Sequence, residues 1–300
     1  MNHESLTYRI FKVGNAALLT LIVVAMVFPY LNVLAYALND PVDSQFGGLT
    51  FYPRELSFAN FEMLLSNSAI IQSTFISVLR VIIGTAFALL IQYTSAYAFT
   101  LKGLQGKGAI LIFLMIPMYF GGGLIPVYLL YSKMHLLNNF LVYILPVSFS
   151  LYNMVIIRSF LYTIPDSLAE SARIDGANEF VIMLRIYVPL SMPILAVMAL
   201  WTAVYHWNDW TTTLYFVTDQ KLNTLQYILM QILKEGERMA SMFQEAIRAG
   251  ISSGMNTQTQ VTPQAIRAAN IILTTIPIVI VYPFLQKHFV KGITLGAVKE

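Results

Sequence analysis

Residues 13–38 read VGNAALLTLIVVAMVFPYLNVLAYAL, an apolar run without a single Asp, Glu, Lys or Arg, ended by Asn39-Asp40-Pro41. A bilayer core requires about 20 such residues as an α-helix, because hydrocarbon offers the backbone N–H and C=O groups no partner outside the helix itself. The run exceeds the apolar stretch of a cleavable signal peptide, so it is expected to remain as a spanning helix.

Five further segments are long and apolar with at most one charged residue each: 72–99, 109–131, 140–160, 186–205 and 268–289. The whole chain is 57% hydrophobic and only 11% charged, against the roughly 25% charge of a soluble domain. Too few charges remain to cover a water-facing surface. The expectation is an all-α membrane protein, a single transmembrane domain over 1–300 with about six spans. Absence of cysteine excludes disulfides, thiolate metal sites and cysteine nucleophiles. The net charge of +3 is too small and dispersed for nucleic-acid binding.

Orientation follows from Lys and Arg near the apolar runs. Arg9 and Lys12, Lys102 and Lys107, Arg158, Arg173 and Arg185, and Lys287, Lys291 and Lys299 all fall on one side of a six-span arrangement, and basic connections stay in the cytoplasm. Both termini, the 102–107 turn and the loop 163–185 are therefore expected inside, and 39–71, 132–139 and 206–267 outside, where a cysteine at Asn223 is expected to be reached. Prolines Pro29, Pro117, Pro126, Pro146, Pro189, Pro193, Pro277 and Pro283 interrupt the spans, each removing a backbone donor. The third is the most broken, with Gly121-Gly122-Gly123 between Pro117 and Pro126. It reads either as a glycine-packed kink or as a cavity wall.

Ile164-Pro165-Asp166-Ser167-Leu168-Ala169-Glu170-Ser171-Ala172-Arg173-Ile174-Asp175-Gly176-Ala177-Asn178 lies between the fourth and fifth spans. Ser167 and Glu170 have the spacing of a capping box, and Gly176 stands where a short helix would stop. Small residues Ala169, Ser171 and Ala172 suit the approach of another backbone, so the segment reads as a docking knob. A helix lying on lipid would carry a larger apolar face.

Here the chain resembles the membrane subunits of binding-protein-dependent ABC importers, whose hallmark is a cytoplasmic Glu-Ala-Ala…Gly…Leu-Pro loop. It stands as Glu170-Ser171-Ala172, Asp175-Gly176-Ala177 and Val188-Pro189-Leu190, with Ser171 and Val188 the mild departures. The stretches 118–126, His206-Trp207-Asn208-Asp209-Trp210 and 282–292 are similar to the carbohydrate branch. The resemblance implies a type I ABC importer permease fold in a bacterial plasma membrane and transport of an oligosaccharide, with Glu170, Ser171, Ala172, Asp175, Gly176, Ala177 and Pro189 coupling to an ATPase. It implies as partners a second related permease in a heterodimer, two cytoplasmic ATPase subunits that hold ATP and Mg, an extracytoplasmic sugar-binding protein, and membrane lipid. No cofactor or metal is expected on this chain, and no catalytic residue. Gly106-Lys107-Gly108 lacks the spacing and hydroxyl of a phosphate-binding loop, so ATP hydrolysis belongs to a partner.

Residues for a substrate path are Arg80, Tyr119, Asn153, Tyr205, Trp207, Asn208 and Asp209, alongside Trp201 and Trp210. Aromatic faces with amides suit sugars, and an interfacial aromatic belt accounts for them equally well. Arg80, amid Val78, Leu79, Val81, Ile82 and Ile83, either snorkels to the interface or faces a water-filled path. Gly84, Thr85 and Ala88 beside it form a small-residue stripe suited to close helix contact. Within 206–267, Glu235–Gly250 reads as a helix with Met239, Met242, Phe243, Ala246 and Ile247 on one side. It is placed against a binding protein or as a self-packed cap. Competing readings are an importer permease for a non-sugar solute, a secondary transporter, which would want acidic residues inside the spans, and a membrane enzyme. His3, His135, His206 and His288 are scattered and give the last no site.

Overall fold

A computed structural model describes residues 6–248 and 263–296. Its helices, in chain order, are α1 (Leu6–Ala37), α2 (Ala59–Leu65), α3 (Ser68–Ala98), α4 (Lys107–Tyr119), α5 (Leu124–Lys133), α6 (Leu151–Leu161), α7 (Asp166–Ile174), α8 (Glu179–Ile182), α9 (Val188–Leu190), α10 (Met192–Asn208), α11 (Thr211–Phe216), α12 (Leu225–Arg248) and α13 (Pro263–Gly296). Among the described residues there is no β-strand beyond one isolated bridge, Asn39 to Leu56. Among the described residues, three helices are long and apolar enough to cross a bilayer, at Thr7–Ala37, Ser68–Ala98 and Gln264–Val281.

The other expected spans are not single rods. The third bends by 117° between α4 and α5, where Gly123 takes φ +80, a value open to glycine at little cost. The fifth bends by 82° between Glu179–Leu190 and Met192–Asn208. Its break is at Ser191, between Pro189 and Pro193, and follows a π-helical stretch at Met183–Tyr187. The expected fourth span, 140–160, is not one helix either. A 3-10 turn at Phe140–Tyr143 is followed by α6, where the Ser150 hydroxyl caps the helix by accepting from the N–H of Asn153. Pro146 between them withholds a backbone donor, and α6 alone rises only ~16 Å. The stretch 206–267 is not a plain loop. The helix expected at 235–250 starts ten residues earlier, at Leu225. Residues 249–262 lie outside the described residues, as do the side chains of Met239, Phe243, Ala246 and Ile247.

By internal contacts the chain divides into two units, residues 1–68 with 231–277 and residues 69–230 with 278–300. In the first, α1 is exposed from Thr7 to Leu31, the surface that lipid or another subunit would cover. Its C-terminus is closed by polar bonds: Asn60 donates to Ala37 O at 3.1 Å and Asn39 O at 2.9 Å. Buried Asn39 accepts from the backbone of Arg54 and Glu55 and donates to Asp43 at 2.7 Å. That amide, followed by Arg54, holds the Asp43 carboxyl below its ordinary pKa.

The second unit has its core among α3, α6, α7 and α10. Tyr93, Ala96, Tyr97, Met154, Ile157, Leu161, Ala169, Ile182, Tyr187 and Met198 form one buried cluster. The buried line along α3 runs Ser73, Ser77, Arg80, Gly84, Ala88 and Gln92, the three-to-four spacing of one helix face. Its small residues have a steric reason. A Cβ on Gly84 would stand 2.5 Å from Nε2 of His206, and His206 is only 1% exposed, so α10 approaches α3 closely because position 84 has no side chain.

Candidate functional site

α7 begins at Asp166, with Pro165 in the cap position and no side-chain cap bond. The Ser167–Glu170 capping box therefore does not form: Pro165 ends the extended approach two residues earlier than a Ser167 cap would, and Ser167 is already helical. Asp166 instead pairs with Lys102 from the basic turn at 3.0 Å. Hydrogen bonding to Asp166, then its charge, raises the Lys102 pKa.

The end of α7 is as the sequence suggests. Gly176 has φ +82, its N–H bonds Arg173 O at 3.1 Å, and the N–H of Ala177 bonds Ala172 O at 2.9 Å. This pair of bonds is a Schellman stop. Asn178 then caps α8 through Val181 N at 2.9 Å. Ala169 is 2% exposed and faces the core, so it is not a landing point for another chain. Glu170, Ser171, Asp175 and Gly176 are exposed, Ala172 and Ala177 half-buried, and Pro189 exposed.

The knob is braced. Arg173 donates to Glu179 Oε1 at 2.8 Å, and Tyr97 on α3 donates to Glu179 Oε2 at 2.7 Å. Tyr97 packs edge-on to Tyr187, with ring centroids 5.1 Å apart. One turn back, Tyr93 and Ser191 share a hydroxyl hydrogen bond at 3.0 Å, and Ser191 also donates to Tyr187 O at 2.6 Å. The knob and the break in the fifth span are thus both tied to the end of α3. Between α7 and the basic turn lies a cleft of about 700 Å³ lined by Lys102, Lys107, Asp166, Glu170 and Arg173.

The expected path residues separate into groups. Arg80 neither snorkels nor faces an open path: it is 0% exposed, ion-paired with Asp209, donates to Asp209 O at 2.9 Å, and has its guanidinium 4.6 Å from the Tyr143 ring centroid. A buried charge is tolerated when opposite charge and hydrogen bonds replace water, and Asp209, just past α10, supplies both. Trp207 is buried, whereas Asn208 and Tyr119 are exposed. Asn153 and Tyr205 line one cavity of about 410 Å³ with Trp201, Gln92 and Thr202. Gln92 and Thr202 were not anticipated as site residues. Their signal is that each is a polar side chain within an apolar run, a placement that is costly unless used. Among the described residues no three His, Asp or Glu side chains gather as a metal site.

A family profile described as "Binding-protein-dependent transport system inner membrane component" matches residues 104–295. The chain is 32% identical to Protein LplC of Bacillus subtilis over 99% of this chain and 97% of that one. It is 31% identical to the polygalacturonan/rhamnogalacturonan transport system permease protein YtcP of the same organism, over 97% and 99% of the two chains. It is 27% identical to the arabinooligosaccharides transport system permease protein AraQ of Halalkalibacterium halodurans, over 91% of each. Among solved structures, a chain of a bacterial ABC transporter for import of the acidic polysaccharide alginate superposes with a TM-score of 0.81 at 23% identity, covering 96% of this chain and 100% of that one, a likeness of fold. The chain belongs to the binding-protein-dependent transport system inner membrane components and has the fold of a type I importer permease.

Proposed function

We propose that this chain is one membrane-spanning half of an ATP-driven oligosaccharide importer and couples the translocation path to a cytoplasmic ATPase through the Glu170–Gly176 knob. The observation that carries the coupling role is the braced knob. Ile174 is 87% and Phe180 65% exposed, apolar side chains held outward beside a segment fixed by the Arg173–Glu179–Tyr97 bonds. Such a tip on a firm base suits a groove on a partner. YtcP, a polygalacturonan/rhamnogalacturonan permease, and AraQ, an arabinooligosaccharide permease, support a carbohydrate cargo.

The partners are a second related permease in a heterodimer, two ATPase subunits that hold ATP and Mg, and an extracytoplasmic sugar-binding protein. A neighbour of the same fold (TM-score 0.54) was solved with an alginate pentasaccharide-bound periplasmic protein, which supports the last. The 1–300 domain sits in the plasma membrane with both termini, the 102–107 turn and the 163–185 loop inside. Closure of the ATPase pair pulls the knob, and the bonds to Glu179 and Ser191 carry that pull to α3 and to the break in the fifth span, a rigid-body form of alternating access. This chain's own task is coupling, with no bond-making chemistry.

Two tests address the reading. A tagged chain drawn from its own membrane is expected to bring the ATPase and a second permease with it; isolation with neither would remove the importer reading. Orientation is checked by single cysteines, since the parent has none. Asn223 is only 8% exposed and would be shielded from reagent, so Lys221, which is exposed, is the outward position. Lys221→Cys should react with an impermeant thiol reagent in intact cells. Gly103→Cys, in open space, should react only after the membrane is permeabilised; labelling of Gly103→Cys from outside would invert the topology.

A further inference from the structure

We infer that the cavity between α3, α6 and α10 is a subsite for an uncharged sugar ring, with Gln92 and Thr202 as its hydroxyl-binding groups. This rests on the carbohydrate reading of the cargo and narrows it. The volume, about 410 Å³, lies within the roughly 300–1,000 Å³ of small-molecule sites. Two side chains in its lining are buried polar groups with unmet capacity. Gln92 is 1% and Thr202 6% exposed, and Gln92 Oε1 and Thr202 Oγ1 have no hydrogen-bond partner within the chain. The amide nitrogen of Gln92 lies 3.4 Å from Ser148 O as its donor. That contact orients the side chain, because reversing the amide would set oxygen against oxygen, and so Oε1 is the atom left for a ligand.

A buried acceptor or hydroxyl without a partner costs about 1–3 kcal/mol, a cost a ligand hydroxyl would relieve. Sugar hydroxyls fit because each donates and accepts: one can donate to Gln92 Oε1, another can take up the Thr202 hydroxyl. Trp201 and Tyr205, 47% and 51% exposed, supply the flat apolar surface that the C–H face of a pyranose or furanose covers. Asn153 lies in the same lining.

Charge decides the class. None of the residues lining this cavity carries a formal charge. The charge on α3, Arg80, stands three turns from Gln92, ~18 Å along the helix, and is taken by Asp209. A uronate carboxylate placed here would lose water and gain no cation, a costly transfer, whereas a neutral glycosyl unit loses little.

The test uses the assembled transporter in membrane vesicles, with its binding protein, and follows uptake of radiolabelled raffinose, arabinotriose and trigalacturonate. The parent is expected to take up a neutral probe. Thr202→Val and Gln92→Leu are each expected to raise the half-saturating concentration about tenfold, as loss of one buried hydrogen bond does, with complex abundance at the parent level and with Thr202→Ser restoring uptake. Should Gln92→Leu fail to assemble, the near-isosteric Thr202→Val still decides. Parent-like saturation in Thr202→Val, or saturation by trigalacturonate that shifts as much as that of the neutral probes, overturns the subsite. So does loss of the second permease from Thr202→Val, which would mean that the cavity holds a side chain of that subunit. If the parent takes up no saccharide and no saccharide stimulates its ATP hydrolysis, the carbohydrate reading itself falls, and the subsite with it.

Discussion

Asp209→Leu is expected to destabilise the folded chain strongly, and Arg80→Met to weaken it by a smaller amount. The two changes break the same ion pair, yet they leave different orphans. Without Asp209, the Arg80 guanidinium stays in a site where it is 0% exposed, with Nε already lacking a partner and only the Tyr143 ring and the carbonyl of residue 209 to face. An uncompensated buried charge of this kind costs about 3–5 kcal/mol. Without Arg80, the Asp209 carboxylate keeps four bonds at the start of α11: Thr211 N at 3.0 Å, Thr211 Oγ1 at 2.6 Å, Thr212 N at 3.2 Å and Thr212 Oγ1 at 2.5 Å. Its loss is nearer the about 1–3 kcal/mol of a missing partner.

The thermal midpoint of the purified complex in detergent reads the difference, and Arg80→Met combined with Asp209→Leu should lie above Asp209→Leu alone. Arg80→Lys should insert and transport poorly. An ammonium keeps the charge against the carboxylate but lacks the planar fork that also reaches Asp209 O and lies over Tyr143. Equal midpoints for Asp209→Leu and Arg80→Met would show that the asymmetry of the site does not govern its stability.

Gly176→Pro is expected to leave the chain inserted and to abolish uptake. Proline fixes φ near −65°, whereas Gly176 sits at +82, and it deletes the N–H that bonds Arg173 O at 3.1 Å. The Schellman stop cannot form, so α7 and the Arg173–Glu179 bond beyond it lose their geometry. Gly176→Ala keeps the N–H but places a Cβ in the left-handed region at about 1–2 kcal/mol, and should lower uptake roughly tenfold, since about 1.4 kcal/mol is a factor of ten. Glu170→Lys should also fail, by adding a cation to a cleft already lined by Lys102, Lys107 and Arg173. Uptake at the parent level in Gly176→Pro would mean that the knob is not the coupling element.

What the sequence made legible follows from what is local. Apolar runs such as 13–38 and 72–99 became helices because the pattern of side chains within a run reports its surroundings directly. The Gly121-Gly122-Gly123 break was equally visible, since glycine and proline act on their own backbone. Misread features depend on a single neighbouring residue or on distant partners. Ser167–Glu170 matches a capping box in spacing, but Pro165 starts the helix at Asp166. The stretch 140–160 is apolar enough to span, yet Pro146 and the Ser150 cap divide it. Arg80 and Asp209 were both recognised as path candidates, but 129 residues separate them, and nothing in either neighbourhood announces the pairing that takes both out of reach of a solute. The same blindness to distance hid Gln92 and Thr202, which become a candidate site only when α3 and α10 are brought together over Gly84.

The most direct measurement of the central claim is ATP hydrolysis by the complex reconstituted in proteoliposomes, with the extracytoplasmic binding protein outside and either loaded with oligosaccharide or empty. The loaded binding protein is expected to stimulate hydrolysis, and Gly176→Pro, at equal assembly, is expected to remove the stimulation. Hydrolysis indifferent to the loaded binding protein, or oligosaccharide uptake driven by an ion gradient without ATP, would contradict that claim.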